Sequence, residues 1–511
     1  MKYRKTKNQI AKSISIKDLE SGRLSQSLPT DSPLSIDQLI SLEQSITGKL
    51  VFPWNPDYEQ DRKDFNDVYP ACPVVIVYAV CFDDLRECLK IAQDNGLQFT
   101  IRSGGHSLAG YSVCDGMVID MSMMKHVHVD VTSQTLTVDA GAAFGDIFPI
   151  LEQYGLHMPG GGCPTVCVAG YMQGGGYGLT SRAFGMNCDC VLEVMVMLAD
   201  GRIVKANQNL NSDLFWAVRG GTGGNFGILL NIKYQLVPLG FIWGIKITWN
   251  IDPSPGDAAQ ALYTIQEQYL TDNAFANLGI ETILATDTDG KKKVFFCAVW
   301  IGDEAGFDMA LAPLLDVPGA QVVFKIQGKY SDVNARVLEG TPDLPEGIKA
   351  YSRSTIIERS LSIANWSDIL LYFLTAPNQY TMVDMECYGG KINQVASGYN
   401  AFIHRTAKMD FFCDAFFDDQ TKDQKENEIW LNAFMTFMQR YSNGHSYQNY
   451  PNRDQQNWKW AYWGNFYDQL LSVKQKYDPA NAFNYPQSIG PYQSISRQNL
   501  ITQSPIQYEA I

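Results

Sequence analysis

The stretch Ile101-Arg102-Ser103-Gly104-Gly105-His106-Ser107 determines the expected fold of the N-terminal half of the chain. Residues 98–102 predict a short strand, and the two glycines that follow let backbone N–H groups turn inward and surround an anion. Arg102 would add a positive charge, and the pyrophosphate of a dinucleotide suits such a nest. His106 would lie near whatever the dinucleotide carries. Alone the motif is weak, because Gly-Gly turns are common and a single histidine usually has a structural role.

The sequence before this stretch has an α/β pattern. Residues 72–80 are apolar and β-branched, which predicts a buried strand. Residues 82–95 have apolar positions at helical spacing, a cap from Asp83 or Asp84, and a stop at Gly96. Strand, helix, strand and glycine turn in succession indicate an α/β opening.

Two further glycine-rich segments follow. Residues 160–178 are the densest in glycine, so the backbone there approaches something flat or runs very near itself. Cys163 in this segment could be a nucleophile, although a free cysteine is more often a small buried hydrophobic residue. The segment from Arg219 to Gly227 misses the spacing of the GxGxxG fingerprint, and a predicted strand follows it rather than a helix. A classical NAD fold is therefore disfavoured.

Composition and charge limit the class of protein. The 511 residues suffice for roughly two to four domains. A net charge of −14 argues against a nucleic-acid partner, because phosphates would repel such a surface. No apolar run approaches the ~18 residues of a membrane span, and the basic N-terminus lacks the apolar stretch of a secretory signal, so a cytoplasmic protein without membrane contact is expected. Eleven cysteines and six scattered histidines indicate neither a disulfide framework nor a metal site.

In combination, these segments resemble the FAD-linked oxidases of the berberine-bridge-enzyme and oligosaccharide-oxidase type, within the vanillyl-alcohol-oxidase superfamily. The resemblance extends over residues 45–490, with the motifs in order. The matching stretches are DRKDFN at 61–66, IRSGGHS at 101–107, DGMVIDMS at 115–122, GGCPTV at 161–166, GGGYG at 174–178, DLFWAVRGGTGGNFG at 213–227, YGGK at 388–391, AFIHR at 401–405, NYPN at 449–452, WGN at 463–465, KYDPANAF at 476–483 and PQSI at 486–489.

The resemblance implies an α+β fold in which a PCMH-type FAD-binding domain of two subdomains is split between both chain ends. Between them a substrate domain would place an antiparallel sheet, covered by helices, over the flavin ring. The expected limits are a lead-in at 1–44, FAD domain at 45–240, substrate domain at 241–440, return to the FAD domain at 441–495 and a tail at 496–511.

The resemblance also implies a covalently held FAD. The histidine matching His106 would bond the flavin 8α carbon, and the cysteine matching Cys163 would bond C6. Val166 occupies a position where valine tends to leave room for O2 and isoleucine tends to block it. Tyr171 departs from the family pattern, because some relatives place a histidine there, but a tyrosine can still donate a hydrogen bond to the reduced flavin. The other expected FAD-binding residues are Arg102, Ser103, Gly104, Gly105, Ser107, Gly170, Gly174, Gly175, Gly176, Tyr177, Gly178, Gly227, Ile228 and Tyr485.

Hydride transfer from a hydroxylated carbon needs a base for the hydroxyl proton. Strand alternation places Asp384, Glu386 and Tyr388 on one face of a predicted strand. Tyr447 and Tyr450 lie near the C-terminus, and carbohydrate-oxidising relatives use a tyrosine in the NY(P/A) context as the base. Tyr450 is therefore the predicted base and Glu386 the acid that lowers its pKa or accepts its proton.

His404 and Arg405, on another predicted strand of the same sheet, could bind substrate or form structural salt bridges. The expected function is an oxidase that transfers hydride from a CH–OH group of a sugar or secondary-metabolite alcohol to flavin N5 and reduces O2 to hydrogen peroxide. Its partners would be the small-molecule substrate and O2, and the chain would be a monomer or homodimer. The alternatives are a dehydrogenase with another electron acceptor, and a flavin-loaded binding or defence protein with little turnover.

Overall fold

A computed structural model describes residues 34–271, 275–339, 344, 347–417 and 423–492. The expected tail at 496–511 and the first 33 residues of the expected lead-in lie outside this part of the chain. The helix Ile36–Ser45 lies within the expected lead-in and buries Leu39 and Leu42. A helix therefore lies inside the expected lead-in, and the expected domain limits stay predictions.

The first sheet has four strands in the order β1-β2-β4-β3. Strands β2, β4 and β3 are mutually parallel, and β1 is antiparallel to β2. The predicted strand, helix, strand and glycine turn are present, and the turn begins where β3 ends. The bounds are β1 Lys49–Val51, β2 Val75–Tyr78, β3 Phe99–Arg102 and β4 Met117–Asp120.

The expected cap of the helix Phe82–Asp94 is wrong. Cys81 occupies the N-cap position and makes no side-chain cap bond. Asp84 is buried, and its carboxylate accepts hydrogen bonds from the backbone N–H groups of Thr47, Gly48 and Val80. The side chain therefore joins the helix to the loops beside it.

The second sheet is antiparallel, with five strands in the order β5-β6-β10-β8-β9, and a two-stranded ladder joins β7 to β11. Residues 212–217 form a short helix just before the glycine-rich segment that begins at Arg219. The bounds are β5 Val127–Asp130, β6 Thr135–Asp139, β7 Leu156–His157, β8 Val191–Met197, β9 Ile203–Asn207, β10 Ile228–Gln235 and β11 Val237–Pro238.

The third sheet has seven antiparallel strands in the order β15-β12-β14-β13-β17-β18-β16. One face is apolar and packs against long helices, with Trp249, Met385, Phe411, Trp366 and Phe434 in its core. Because alternate side chains point to opposite faces, the residues between them point away from these helices. The bounds are β12 Ile242–Asn250, β13 Leu278–Thr286, β14 Lys292–Trp300, β15 Gln321–Gly328, β16 Lys349–Ile357, β17 Met382–Cys387 and β18 Met409–Phe417.

The C-terminal segment returns to the N-terminal glycine loops. Lys474 Nζ donates to the Asn225 carbonyl at 2.6 Å, and Trp463 Nε1 donates to the Gly220 carbonyl at 2.9 Å. Phe483 packs edge-on against Phe99 of β3. Mixed helices and sheets, with an antiparallel sheet covered by helices, confirm the expected α+β class.

The remaining helices are mostly short. Those of the described ranges are neither long nor apolar enough to span a bilayer. Their bounds are Tyr58–Asp61, Phe144–Leu151, Val168–Gln173, Ser181–Phe184, Ser212–Ala217, Gly256–Tyr269, Glu304–Leu315, Tyr330–Leu338, Ile363–Phe373, Lys391–Gln394, Gln424–Met438, Trp458–Trp463 and Tyr467–Tyr477, with 3-10 turns at Glu152–Tyr154, Asn187–Cys190 and Gly464–Phe466.

Candidate active site

A cavity of about 1470 Å³ combines walls from the glycine-rich segments, the seven-stranded sheet and the C-terminal segment. Small-molecule pockets usually measure ~300–1,000 Å³, so this one has room for a dinucleotide and a substrate together. The expected site residues that line it are Ser103, Gly104, Gly105, His106, Ser107, Cys163, Val166, Gly170, Tyr171, Tyr177, Gly178, Gly227, Glu386, Tyr450 and Tyr485.

Arg102 does not line the cavity, so the prediction that it contributes positive charge there is wrong. Its side chain is fully buried, and Nε donates to the carboxylate of Asp120 at 2.6 Å. A second nitrogen donates to the carbonyl of Asp61. Arg102 and Asp120 stand opposite each other on the parallel strands β3 and β4, which explains the pairing.

Four other expected contacts also lie behind the cavity wall: Gly174, Gly175, Gly176 and Ile228. The glycines permit close packing rather than cofactor contact. A Cβ on Gly175 would meet the Phe402 ring at 2.7 Å, and one on Gly176 would meet the Tyr171 ring at 2.4 Å. Both have positive φ, which favours glycine. Ile228 is a core residue of β10.

His106 and Cys163 come together at one hydroxyl group. His106 Nε2 lies 3.0 Å from Thr165 Oγ1, and Cys163 Sγ lies 3.3 Å from the same atom. The Phe65 ring stacks on the imidazole at a centroid distance of 4.6 Å. Two residues 57 positions apart in sequence therefore present their reactive atoms side by side on the cavity wall.

The cavity wall fits a flavin dinucleotide. At Gly170 an added Cβ would meet no atom within 4 Å, so the backbone there faces open space. Gly104, Gly105 and Gly227 add further stretches of bare backbone to the wall. Peptide groups without side chains can approach a flat ring or a pyrophosphate closely. His106 and Cys163 are the residues that would hold the ring covalently.

Tyr171 does not have the predicted role. It lines the cavity, but its hydroxyl donates to the carbonyl of Tyr177. A phenol has one proton to donate, so this bond excludes a second donation to a flavin. The ring of Tyr171 instead packs beside Gly161 and Gly176.

Tyr450 and Glu386 form the pair that the sequence predicted. The Tyr450 hydroxyl donates to Glu386 Oε1 at 2.5 Å, and both residues line the cavity. Phe412 of β18 stacks on the Tyr450 ring at a centroid distance of 4.0 Å, which fixes its plane. Glu386 Oε2 is buried without a hydrogen-bond partner in the described chain. The pair can therefore accept a proton from a group that enters the cavity.

Two tyrosines near this pair, Tyr447 and Tyr388, do not line the cavity. Tyr447 lies behind the wall, where its hydroxyl accepts a hydrogen bond from Gly176 N–H at 2.7 Å. Tyr388 follows the end of β17 and stacks on Tyr177, so only Asp384 and Glu386 of the expected trio face the cavity.

His404 and Arg405 lie in a loop, not on a strand as predicted. His404 Nε2 contacts Gln448 Oε1 at 3.1 Å. Gln448 lines the cavity, but His404 and Arg405 do not. Arg405 pairs with Asp189 at 2.6 Å. Of the two roles that the sequence left open for Arg405, its contacts support the structural salt bridge.

Five carboxyl groups share the sheet face around Tyr450. Cross-strand pairing places Glu386 opposite Glu281 on one side and Asp410 on the other, and two more carboxyls are Asp384 and Asp414. Burial raises the pKa of each, and it raises the pKa of Asp414 to about 7. The described residues contain no group of three or more His, Cys, Asp or Glu side chains suited to a metal ion.

The same environment corrects one prediction about the base. Burial, and then the neighbouring Glu386 charge, raises the pKa of Tyr450 well above its ordinary value. Glu386 therefore does not lower it. The short hydrogen bond leaves the other predicted role, in which Glu386 accepts the proton that Tyr450 passes on.

We expect Asp414 to make stability depend on pH. Its folded pKa of about 7 exceeds the ~3.9 of an unfolded aspartate, so its contribution is present below about pH 4 and is lost as pH rises to about 7. Asp414→Asn keeps an acceptor for the Ser352 hydroxyl and removes the titration. Relative to wild type, the free energy of unfolding of the variant should rise by up to about 3 kcal/mol between pH 5 and pH 8. Urea unfolding at both pH values measures this, and identical pH slopes for the two proteins would contradict it.

Several residues of the site were not predicted from the sequence. Glu281, Asp414 and Phe412 line the cavity, and the alternation of their strands was readable, but the pairing of those strands with β17 was not. Thr165, inside the quoted GGCPTV stretch, does not line the cavity but contacts both His106 and Cys163. Tyr485 was expected, and its hydroxyl contacts Thr222 at 3.0 Å, which ties the C-terminal segment to the second glycine loop.

Comparisons with known proteins agree with this geometry. Residues 73–207 match the family model described as FAD binding domain, and residues 446–490 match the model described as berberine and berberine like. The uncharacterized FAD-linked oxidoreductase YgaK of Bacillus subtilis is 29% identical over 456 residues, covering 87% of this chain and 97% of its own. The carbohydrate oxidase of Microdochium nivale is 27% identical over 481 residues, covering 86% of this chain and 92% of its own.

The structural match extends over most of the chain. The wild-type BBE-like 1 protein of Physcomitrella patens superposes with a TM-score of 0.79 at 25% identity, covering 88% of this chain and 98% of its own. Both matched ranges contribute residues to the cavity wall, the first through the glycine-rich segments at 101–107 and 160–178 and the second through the C-terminal segment. The chain therefore carries an FAD binding domain and a berberine-like domain, and over most of its length it is similar to FAD-linked oxidoreductases of the berberine-bridge-enzyme-like type.

Proposed function

We propose that this protein is an oxidase that holds FAD through both His106 and Cys163 and oxidises a CH–OH group of a sugar or secondary-metabolite alcohol, with O2 as acceptor and hydrogen peroxide as product. The observation that carries the proposal is the hydrogen-bonded Tyr450–Glu386 pair in the cavity. An alcohol cannot transfer hydride without losing its hydroxyl proton, and this pair is placed to take it.

The chain's residues would divide the reaction as follows. The bound FAD supplies the two-electron acceptor. Tyr450 accepts the hydroxyl proton of the substrate as its own proton passes to Glu386. Phe412 keeps the phenol in the plane of that hydrogen bond. The buried surroundings strengthen the interactions of the pair because little water competes with them.

The relatives support the substrate class. One is a carbohydrate oxidase and another is the tetrahydroberberine oxidase of Berberis wilsoniae, which is 27% identical over 442 residues. The several carboxyl groups on the cavity face of the sheet suit a substrate with many hydroxyl groups, because carboxyls both accept and, when protonated, donate hydrogen bonds.

A substrate panel tests the proposal. Purified protein is mixed with glucose, cellobiose, lactose and coniferyl alcohol, and flavin bleaching without air and peroxide in air are recorded. We expect at least one compound to bleach the flavin and yield peroxide. Bleaching that only a quinone reverses would favour a dehydrogenase, and no bleaching by a broadened panel would favour a binding protein.

Val166 provides a second test, directed at oxygen. It lines the cavity close to Cys163, and its carbonyl accepts a hydrogen bond from Phe144 N–H. Val166→Ile adds one methylene to a confined space, a change worth ~1–3 kcal/mol in tight pockets. We expect the reaction of photoreduced flavin with O2 to slow about tenfold or more, while reoxidation by ferricyanide stays unchanged. Equal slowing with O2 and with ferricyanide would mean that the substitution disturbs the flavin site in general rather than the access of O2.

A further inference from the structure

The hydroxyl of Thr165 occupies a position that the proposed reaction does not use. It lies 3.0 Å from His106 Nε2 and 3.3 Å from Cys163 Sγ. A turn closed by Val166 N–H to the Cys163 carbonyl folds Thr165 back beside the thiol. Among the described residues the hydroxyl contacts no other polar group within hydrogen-bonding distance. Within the described part of the chain, the Thr165 hydroxyl therefore contacts only the side chains of His106 and Cys163, which are the two expected to bond the flavin.

We propose that Thr165 is a positioning residue for flavin attachment, whose hydroxyl holds the imidazole of His106 and the thiol of Cys163 in one hydrogen-bonded chain and carries a proton between them. The inference rests on the double attachment proposed above. It assigns to this chain the means by which the two bonds form, not only the atoms that form them.

The donor and acceptor capacities of the three groups support the chain. A hydroxyl has one proton to donate and two lone pairs, a neutral imidazole has one accepting nitrogen, and a thiol is a weak donor. Cys163 S–H can therefore donate to Thr165 Oγ1 while Thr165 O–H donates to His106 Nε2. If both protons shift, His106 Nε2–H donates to Oγ1 and Thr165 O–H donates to a thiolate. The hydroxyl satisfies both ends of this proton transfer without moving.

The shift matters because the thiolate, not the thiol, is the nucleophile. The relay creates it by moving the Cys163 proton to Thr165 and the Thr165 proton to His106, so no net charge is gained or lost. In the attachment that follows, a C–S bond forms and a C–H bond breaks at C6. The two electrons released pass through the ring to O2, which leaves as hydrogen peroxide with two protons.

Thr165→Val tests the relay because valine has the same shape without the hydroxyl. The full-length chain is produced in a riboflavin-requiring host, purified without flavin and mixed with FAD in air. Covalent attachment is followed by acid precipitation and by the masses of the peptides that contain His106 and Cys163. At pH 7 we expect attachment at Cys163 to slow about 10²-fold, the size of a typical acid–base contribution. Thr165→Ser, which restores the hydroxyl, should recover most of the rate.

The pH dependence separates a relay from a packing effect. Without the hydroxyl the thiol must lose its proton to water, so the attachment rate in Thr165→Val should depend more steeply on pH than the wild-type rate. The wild-type rate should change much less. Thr100→Val is the control: Thr100 is a threonine on the cavity wall whose hydroxyl donates to the Tyr111 carbonyl, and attachment should keep its wild-type rate.

Each outcome decides the question. Wild-type rates in Thr165→Val, or equal slowing in Thr165→Val and Thr165→Ser, would overturn the relay while leaving the double attachment intact. A wild-type protein whose flavin is released in acid would overturn the double attachment itself, and the relay with it. Circular dichroism and thermal unfolding of each variant identify any that fail to fold.

Discussion

Replacing Tyr450 with phenylalanine is expected to slow substrate-dependent bleaching of the flavin by about 10²–10⁴-fold. The change removes the hydroxyl that donates to Glu386 at 2.5 Å and leaves the ring to stack on Phe412. The alcohol then has no group at that position to take its proton as hydride leaves. The flavin should still bind and should still be reduced by light, because Tyr450 acts on the substrate.

The measurement is anaerobic stopped-flow absorbance with the best compound of the substrate panel. Tyr388→Phe is the matched control, because its hydroxyl is buried without a hydrogen-bond partner in the described chain and does not line the cavity. That variant should keep the wild-type rate. Glu386→Gln should also slow bleaching, since an amide can accept the hydrogen bond of Tyr450 but not its proton. A Tyr450→Phe protein that is reduced at the wild-type rate would remove this pair from the mechanism.

The sequence predicted the features of the site that depend on neighbouring residues. The glycine turn after β3, the alternation that turns Asp384 and Glu386 to one face, and the presence of His106, Cys163 and Tyr450 in the cavity could all be inferred from local pattern or family resemblance. In each case the side chain's direction follows from the strand or turn that carries it.

The errors came from polar partners that the local sequence pattern does not reveal. Arg102 was expected to face an anion, but Asp120 stands beside it on the neighbouring strand and pairs with it. Tyr171 was expected to serve the flavin, but the Tyr177 carbonyl accepts its only proton. In both residues a nearer, buried partner prevails because an unpaired polar group in the interior is costly.

The pKa of Tyr450 shows even more clearly what local sequence pattern cannot predict. Glu386 was expected to lower the pKa of the phenol, but its neighbours Glu281 and Asp410 arrive from strands about 100 and 24 residues away, by pairing that no local pattern specifies. Several carboxyls gathered in one buried region cannot all ionise, so the pKa values of the cluster rise together. In the proposed reaction, proton transfer along the Tyr450–Glu386 hydrogen bond takes the place of a permanently ionised base.

The largest expected change is in how much flavin stays with the acid-precipitated protein. Acid-precipitated wild-type protein should stay yellow, and so should His106→Ala and Cys163→Ala, because one covalent bond is enough to keep the cofactor with the unfolded chain. His106→Ala combined with Cys163→Ala should release essentially all of it, since non-covalent binding depends on the folded cavity and ends when the chain unfolds. The absorbance of pellet and supernatant measures the difference.

Cys167 supplies a control that tests whether the thiol of Cys163, rather than any cysteine of the cavity wall, bonds the flavin. It also lines the cavity, but its sulfur donates to the Gly141 carbonyl, and its position is two residues beyond Thr165. His106→Ala combined with Cys167→Ala should therefore keep the flavin through Cys163, in contrast to the pair that removes Cys163. A coloured pellet from the His106 and Cys163 double variant would mean that a different side chain bonds the ring. A colourless wild-type pellet would mean that proximity at Thr165 holds His106 and Cys163 beside the flavin without joining them to it.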